Sequence, residues 1–152
     1  MAIQRGERFP VAFEHAFPKG LVLIGDVEAS TEYQSQEDRN RGREAKQRVD
    51  ERSGKRIWKA VATDPDEGRA KRASFEIQFI ADVQPVPPGD EVLPGMRPIA
   101  LDGLHVEPHV TGQGEYKSLA FRVWATGFAD PKAASRSRSQ SGQGSQGKEQ
   151  AA

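Results

Sequence analysis

The chain has 152 residues, with 22 Lys and Arg balanced by 22 Asp and Glu and a hydrophobic share of 36%. This composition argues against a membrane-spanning protein, a collagen-like protein and a uniformly basic nucleic-acid-binding protein. The chain contains no cysteine, which excludes disulfides and thiolate metal sites. Residues 1–20 lack the apolar stretch of a signal peptide, and we therefore expect a cytoplasmic protein.

Five stretches predict β-strands, because they alternate apolar and polar residues or are apolar on both faces. In chain order they are residues 21–28, 57–63, 74–82, 97–110 and 115–128. Gly25 and Gly103 are expected to bend the first and the fourth strand. No stretch has the 3.6-residue period of an amphipathic helix, and the prolines of residues 84–95 argue against a helix there.

Two of these strands carry tryptophan, and the phase of each strand decides which way the ring points. The predicted core face of the fifth strand consists of Leu119, Phe121 and Val123. Trp124 is therefore expected at the surface. The second strand is ambiguous, since two sets of residues compete for the interior: Ile57 and Val61 against Trp58, Ala60 and Ala62.

Two polar stretches interrupt or follow the strands. Residues 33–56 contain no aliphatic residue larger than alanine except Val49, and we expect a long flexible charged loop. Residues 131–152 are rich in Ser, Gly and Gln and predict a disordered tail. The expected organisation is an N-terminal extension (1–19), a β-barrel domain (20–130) and the tail.

The predicted fold is an all-β, five-stranded OB-like barrel with a long charged loop between its first two strands. A flat sheet of five strands would leave one face and two edges uncovered, which natural proteins avoid. A long, curved first strand followed by a long loop is typical of the OB fold. An SH3-like barrel or a β-sandwich fragment is the alternative.

The segments GKRIWKAVATDPDEG, ASFEIQFIADVQP and PGMRPIALDGLHVEPHV lie in this order in the middle of the chain. In this order they resemble small OB-like proteins of actinobacterial plasmids and integrative elements, with residues 55–110 carrying the resemblance. The resemblance implies a regulatory or replication-associated protein.

A second resemblance rests on VLIG at residues 22–25 and PGMRPIALDGLHV at residues 94–106. Both are similar to the first and fourth strands of bacterial single-stranded DNA-binding proteins. The residues KEQAA at 148–152 do not match the acidic, apolar tip of that family. Docking of repair partners through such a tip is therefore not implied.

Single-stranded nucleic acid is held by cations that contact phosphates and by exposed aromatic rings on which bases stack. The expected stacking residues are Trp58, Tyr116 and Trp124. The expected phosphate contacts are Arg39, Arg41, Arg43, Lys55, Arg56, Lys59, Lys71, Arg72, Lys117 and Arg122. Further candidates are Tyr33, Lys46, Arg48 and Arg52.

The charges are divided unevenly along the chain. Residues 35–56 hold eight Lys and Arg against five Asp and Glu, a net charge of +3. Residues 131–152 hold four against one, also +3, which leaves −6 on the remainder. Binding of DNA would therefore depend on the two basic segments and would weaken steeply with salt.

We expect a non-enzymatic OB-like protein that binds single-stranded nucleic acid in the replication, transfer or regulation of a plasmid or mobile element, with single-stranded DNA as the expected partner. The alternative is a protein-interaction or regulatory module that uses an acidic barrel surface. No catalytic or cofactor-binding motif is present, and we expect no cofactor. The run His105-x-Glu107-x-His109 differs from zinc signatures and is interrupted by Pro108, so we expect no metal site.

Overall fold

The computed structural model describes residues 1–132, which form an all-β protein with a few short helices. The strands are β1 (Phe9–Pro10), β2 (Leu21–Ala29), β3 (Ile57–Thr63), β4 (Ser74–Ile80), β5 (Met96–Asp102), β6 (His105–Thr111), β7 (Ser118–Ala125) and β8 (Gly127–Ala129). The helices are α1 (Phe13–Ala16), α2 (Gln36–Asn40) and α3 (Ala70–Ala73), with one 3-10 turn at Gly114–Tyr116. No helix among residues 1–132 has the length and apolar character needed to cross a bilayer.

All eight strands belong to one curled sheet in the order β1-β6-β7-β4-β3-β2-β5-β8. Neighbouring strands are antiparallel except β4 and β7, which run parallel. The predicted all-β class is confirmed, but the count of five strands is not. The predicted fourth strand corresponds to β5 and β6, and the predicted fifth to β7 and β8, because each bends and changes its partner.

The bend between β5 and β6 is made at Gly103, as predicted. Gly103 has a φ of +61°, and an added Cβ would lie 2.8 Å from Cγ2 of Thr126. Thr126 bends the opposite strand at the same level, and its N–H donates to the carbonyl of Asp102 at 2.9 Å. The segment β5–β6 and the segment β7–β8 thus form one bent hairpin. This hairpin pairs with β2 through β5 and with β4 through β7.

The expected bend at Gly25 in β2 is also confirmed. The register between β2 and β3 shifts between Ile24 and Glu28, which marks a β-bulge, and Gly25 has a φ of +73°. A bulge increases the local twist of the strand. The bulge therefore helps β2 to pair with β3 on one side and β5 on the other.

Two phenylalanines of the N-terminal extension complete the hydrophobic core. Phe13 and Phe17 are four residues apart, so α1 presents both on one side. The ring of Phe17 stacks on Phe75 of β4 with centroids 5.6 Å apart. The core itself draws on β2, β3, β4, β5, β7 and α1; its largest fully buried side chains are Leu23, Ile77 and Phe79.

The predicted flexibility of residues 33–56 is not confirmed. The chain from 30 to 56, here called the arm, joins β2 to β3 and folds back on itself through bridges that pair Thr31 with Gln47 and Val49 with Arg56. At its centre Ser35 caps α2 by accepting a hydrogen bond from the Asp38 N–H. The predicted disordered tail, residues 131–152, lies outside the described residues from 133 onward.

Replacement of Gly103 with alanine is expected to lower the free energy of unfolding by about 2–5 kcal/mol, because a left-handed backbone and an overpacked contact both become unfavourable. Gly89→Ala is the matched control, since Gly89 has a φ of +84° and open space around it. The control is expected to lose about 1–2 kcal/mol. Urea denaturation measures both losses, and equal losses would show that the contact with Thr126 is unimportant.

Candidate nucleic-acid interface

Trp124 lies on the outer face of the sheet, where a second layer of side chains covers it. Its neighbours Val123 and Ala125 point into the core, and Trp124 therefore points the other way. The guanidinium of Arg8 lies over the indole ring, 3.7 Å from its centroid. The indole N–H donates to Oε2 of Glu107 at 2.9 Å, and Arg122 pairs with Oε1 of the same carboxylate at 3.1 Å. The predicted phase of the strand is right, but the expected exposure of Trp124 is wrong, because only 5% of the residue is accessible.

Asp50 connects the arm to the residue that covers Trp124. Its Oδ1 accepts from Nη1 of Arg8 at 3.0 Å, and its Oδ2 accepts from the hydroxyl and the N–H of Ser53. Burial by itself raises the pKa of Asp50, but the hydrogen bonds from Ser53 and the ion pair with Arg8 outweigh it and lower that pKa. Folding therefore favours the ionised form of the Asp50 carboxyl group.

The cleft around Trp124 has a volume of about 690 Å³ and is electrically balanced. Four arginines line it, and so do four carboxylates: Arg8, Arg48, Arg52 and Arg122 against Glu32, Asp50, Glu51 and Glu107. Three of the arginines are already paired with carboxylates. A cleft with no net charge does not attract phosphate at long range.

The arm, in contrast, has a net positive charge, with eight Lys and Arg against six Asp and Glu, and some of its cations have no carboxylate partner. Among the described residues, the side chains of Arg41, Lys46, Lys55 and Arg56 have no ion-pair or hydrogen-bond partner and are exposed. Arg43 pairs with Asp38, and Arg39 donates to the carbonyl of Gln34. Tyr33 stands on the same arm with 89% of its surface accessible. The arm therefore combines free cations with an exposed aromatic ring.

The sequence-predicted residues do not form one surface. Arg39, Arg41, Arg43, Lys55 and Arg56 lie on the arm, whereas Arg122 and Trp124 lie in the cleft. The others are scattered: Lys59 on β3, Lys71 and Arg72 on α3, Tyr116 and Lys117 between β6 and β7.

Trp58 does not reach the surface as a stacking platform. It packs against the hydrophobic core together with Ala60 and Ala62, which settles the ambiguous phase of β3. Its indole N–H donates to the carbonyl of Ala81 at 3.0 Å. Ile57, on the opposite face, is covered by the arm and is also buried.

The sequence predicted Arg122 and Trp124 of the cleft but missed Arg8, Asp50 and Glu107. Arg8 belongs to the predicted extension, Asp50 to the predicted flexible loop, and Glu107 was weighed only as a metal ligand. Arg8 and Asp50 are 42 residues apart, so no local pattern connects them. The useful signal was the polar residue at every second position of β6, which marks its outer face. Within residues 1–132, no group of three or more His, Cys, Asp and Glu side chains is placed to hold a metal ion.

A second surface feature is an apolar groove of about 770 Å³, here called the β4–β7 groove. The two strands pair only from Ile77 to Phe79 of β4, and towards their N-terminal ends they separate. Leu119 and Phe121 of β7 were predicted to be buried, but 64% and 57% of these residues are accessible. Both side chains point towards the core side, as expected. They are exposed because β4 diverges from β7 at this level.

Comparison with family models, curated proteins and solved structures found no match to this chain. The resemblances to OB-like proteins of plasmids and to single-stranded DNA-binding proteins therefore stay predictions.

Asp50→Asn is expected to lower the free energy of unfolding by about 2–3 kcal/mol at pH 7, because hydrogen bonds to a charged group are lost. The pKa of Asp50 is lowered by folding, so its contribution is fully present above the ordinary carboxyl pKa of about 3.9. That contribution is lost as the pH falls through the lowered pKa of the folded state. The difference between wild type and variant should therefore shrink below pH of about 4.

Urea denaturation between pH 7 and pH 3 measures this difference. Asp66→Asn is the control, since the ion pair of Asp66 with Lys19 is exposed and is expected to contribute about 0.5 kcal/mol or less. A difference between wild type and Asp50→Asn that stays constant down to pH 3 would contradict the role of the ionised carboxylate.

Proposed function

We propose that this protein is a non-enzymatic OB-like module that binds single-stranded nucleic acid through its arm. The observation that carries the proposal is the set of free cations on the arm beside the exposed Tyr33. Replication, transfer or regulation of a plasmid or mobile element is the setting that the resemblance implies.

The strand connectivity supports an OB-like barrel. β2, β3 and β4 form an antiparallel meander, β7 lies parallel to β4, and the bent hairpin returns to pair with β2. In a five-stranded OB barrel, the loop between the first two strands and the loop between the last two commonly contact oligonucleotides. The arm corresponds to the first of these loops, and residues 112–117, with the exposed Tyr116, correspond to the second.

The arm is a better phosphate-binding surface than the cleft. Arg41, Lys46 and Arg56 are free to exchange their counterions for phosphates, which is the main source of affinity for nucleic acid. The arginines of the cleft would first have to give up their carboxylates. Tyr33 adds a ring on which a base can stack without regard to sequence.

The triple variant Arg41→Ala, Lys46→Ala and Arg56→Ala tests the proposal by fluorescence anisotropy with labelled oligo-dT. Wild type is expected to bind at low salt with a Kd below about 100 μM. In a plot of log K against log salt concentration, the slope for the variant should be smaller in magnitude by about 2, because each phosphate contact to a single strand contributes about 0.7.

The charge-matched control is Arg69→Ala, Lys71→Ala and Arg72→Ala. These residues lie at the turn that follows β3, whereas the arm precedes β3, so the two sets lie at opposite ends of that strand. The control should keep the wild-type slope. No binding by wild type at low salt, or an equal loss in both triple variants, would refute binding through the arm.

The β4–β7 groove supports a second candidate function, the binding of a protein partner. Leu119 and Phe121 are exposed side by side on a strand whose edge has no neighbour there among the described residues. Exposed apolar surface beside a free strand edge is typical of sites that accept an extended peptide segment. The groove is apolar. This candidate contact therefore differs from the acidic surface with a basic partner that the distribution of charge along the sequence favours.

The double variant Leu119→Ser and Phe121→Ser is expected to fold normally, because both side chains are already exposed. If the groove binds protein, wild type should retain partners from a nuclease-treated lysate, and this variant should lose them. Val83→Ser with Val86→Ser is the control, since both valines are exposed outside the groove. Loss of all partners after nuclease treatment would exclude this candidate.

A further inference from the structure

We propose that the outer ring face of Trp124 is a base-stacking site that Arg8 keeps closed until an unpaired nucleobase replaces it. The inference deepens the proposed function and rests on it: the arm holds the phosphates, and the cleft receives one base. The chemical class of the ligand is a nucleobase of a single strand.

The position of Trp124 is unusual for a buried tryptophan. It stands outside the hydrophobic core, on the face of β7 that the core does not use. Glu107 accepts from its indole N–H, and Arg122 holds that carboxylate from the other side, so the edge of the ring is anchored to the sheet. The ring face is covered by the guanidinium of Arg8. The platform is thus built into the sheet, and its cover comes from a different part of the chain.

The cover is held by few contacts. Residues 6–10, here called the strap, pair with the sheet through the two-residue strand β1, which lies beside β6. Arg52 of the arm donates to the carbonyl of Gly6, and Arg8 pairs with Asp50. Both contacts tie the strap to the arm.

The closed arrangement also leaves two polar atoms unsatisfied. Nε of Arg8 and Oε1 of Gln78 are buried, line the same cleft and have no hydrogen-bond partner among the described residues. Buried polar atoms without partners are rare and disfavour the state that contains them. Displacement of Arg8 would expose its Nε to water, and the edge of a base offers a donor to Oε1 of Gln78.

The charges of the cleft favour a base over a phosphate. Its four arginines and four carboxylates balance, so a phosphate gains no net attraction there, whereas a neutral, planar group does not depend on one. A volume of about 690 Å³ is ample for one base. A base stacked on Trp124 would take the plane that the guanidinium of Arg8 occupies, since both groups are flat and stack on aromatic faces.

Arg8→Ala in a Trp58→Phe background tests the inference, because Trp124 is then the only tryptophan of the chain. Acrylamide should quench Trp124 several-fold more strongly in this variant than with Arg8 in place. Oligo-dT should bind about 2- to 30-fold more tightly, which is a cation–π interaction of about 0.5–2 kcal/mol converted at about 1.4 kcal/mol per tenfold. Bound oligo-dT should quench the fluorescence of Trp124.

Three further variants separate stacking from a merely structural role. Arg48→Ala removes one positive charge from the same cleft without touching the strap, since Arg48 donates to Ser30 of the arm, so the affinity should stay the same or fall. Arg8→Ala with Trp124→Leu should show no gain in affinity. Arg8→Lys keeps the charge beside Asp50 but cannot cover the ring with a plane, and it should give an intermediate gain even if Arg8→Ala folds poorly.

The inference is overturned if Arg8→Ala and Arg8→Lys bind oligo-dT no more tightly than the parent, or if bound oligo-dT leaves the fluorescence of Trp124 unchanged. The proposed function survives that result as long as wild type binds with the salt dependence that the arm confers. If neither wild type nor Arg8→Ala binds oligo-dT, both are refuted.

Discussion

The bend at Gly103 against Thr126 is the constraint on which the rest of this fold depends. Because the hairpin turns there, the same two chain segments pair with β2 on one side of the bend and with β4 on the other. The sheet is curled for this reason, and its curl creates the inside that Phe13 and Phe17 fill. A side chain at position 103 would push against Thr126 at the point where the two halves of the hairpin change partners.

Outside the curled sheet, Asp50 connects three parts that are far apart in the sequence. It pairs with Arg8 of the strap, caps the turn of the arm at Ser53, and so holds the guanidinium over Trp124. The result is a division of charge: the cleft is balanced, while the arm keeps free cations. That division is the physical basis for the proposals that the arm binds phosphates and that the cleft receives a base.

Alternation of residue types was enough to find the strands, and the range predicted for β3 agrees with the structure at both ends. Gly25 and Gly103 were readable as bends because glycine weakens the interior of a strand and commonly marks a bulge or a tight bend. The sequence did not reveal which distant residues pack against each strand. The correct phase of β7 did not reveal that Arg8 covers Trp124, or that β4 diverges from Leu119, since both depend on distant residues. Phe13 begins a helix of four residues and Phe17 directly follows it, and this helix is too short to show a period.

The strap also bears on the order in which the molecule assembles. The meander of β2, β3 and β4 is built from neighbouring segments, whereas the strap closes a contact between residues 42 apart and is fastened by a two-residue strand. Elements with few, long-range contacts open at a lower free energy than the core that they cover. We therefore expect the strap to be a local unit of stability that opens at a lower free energy than the sheet.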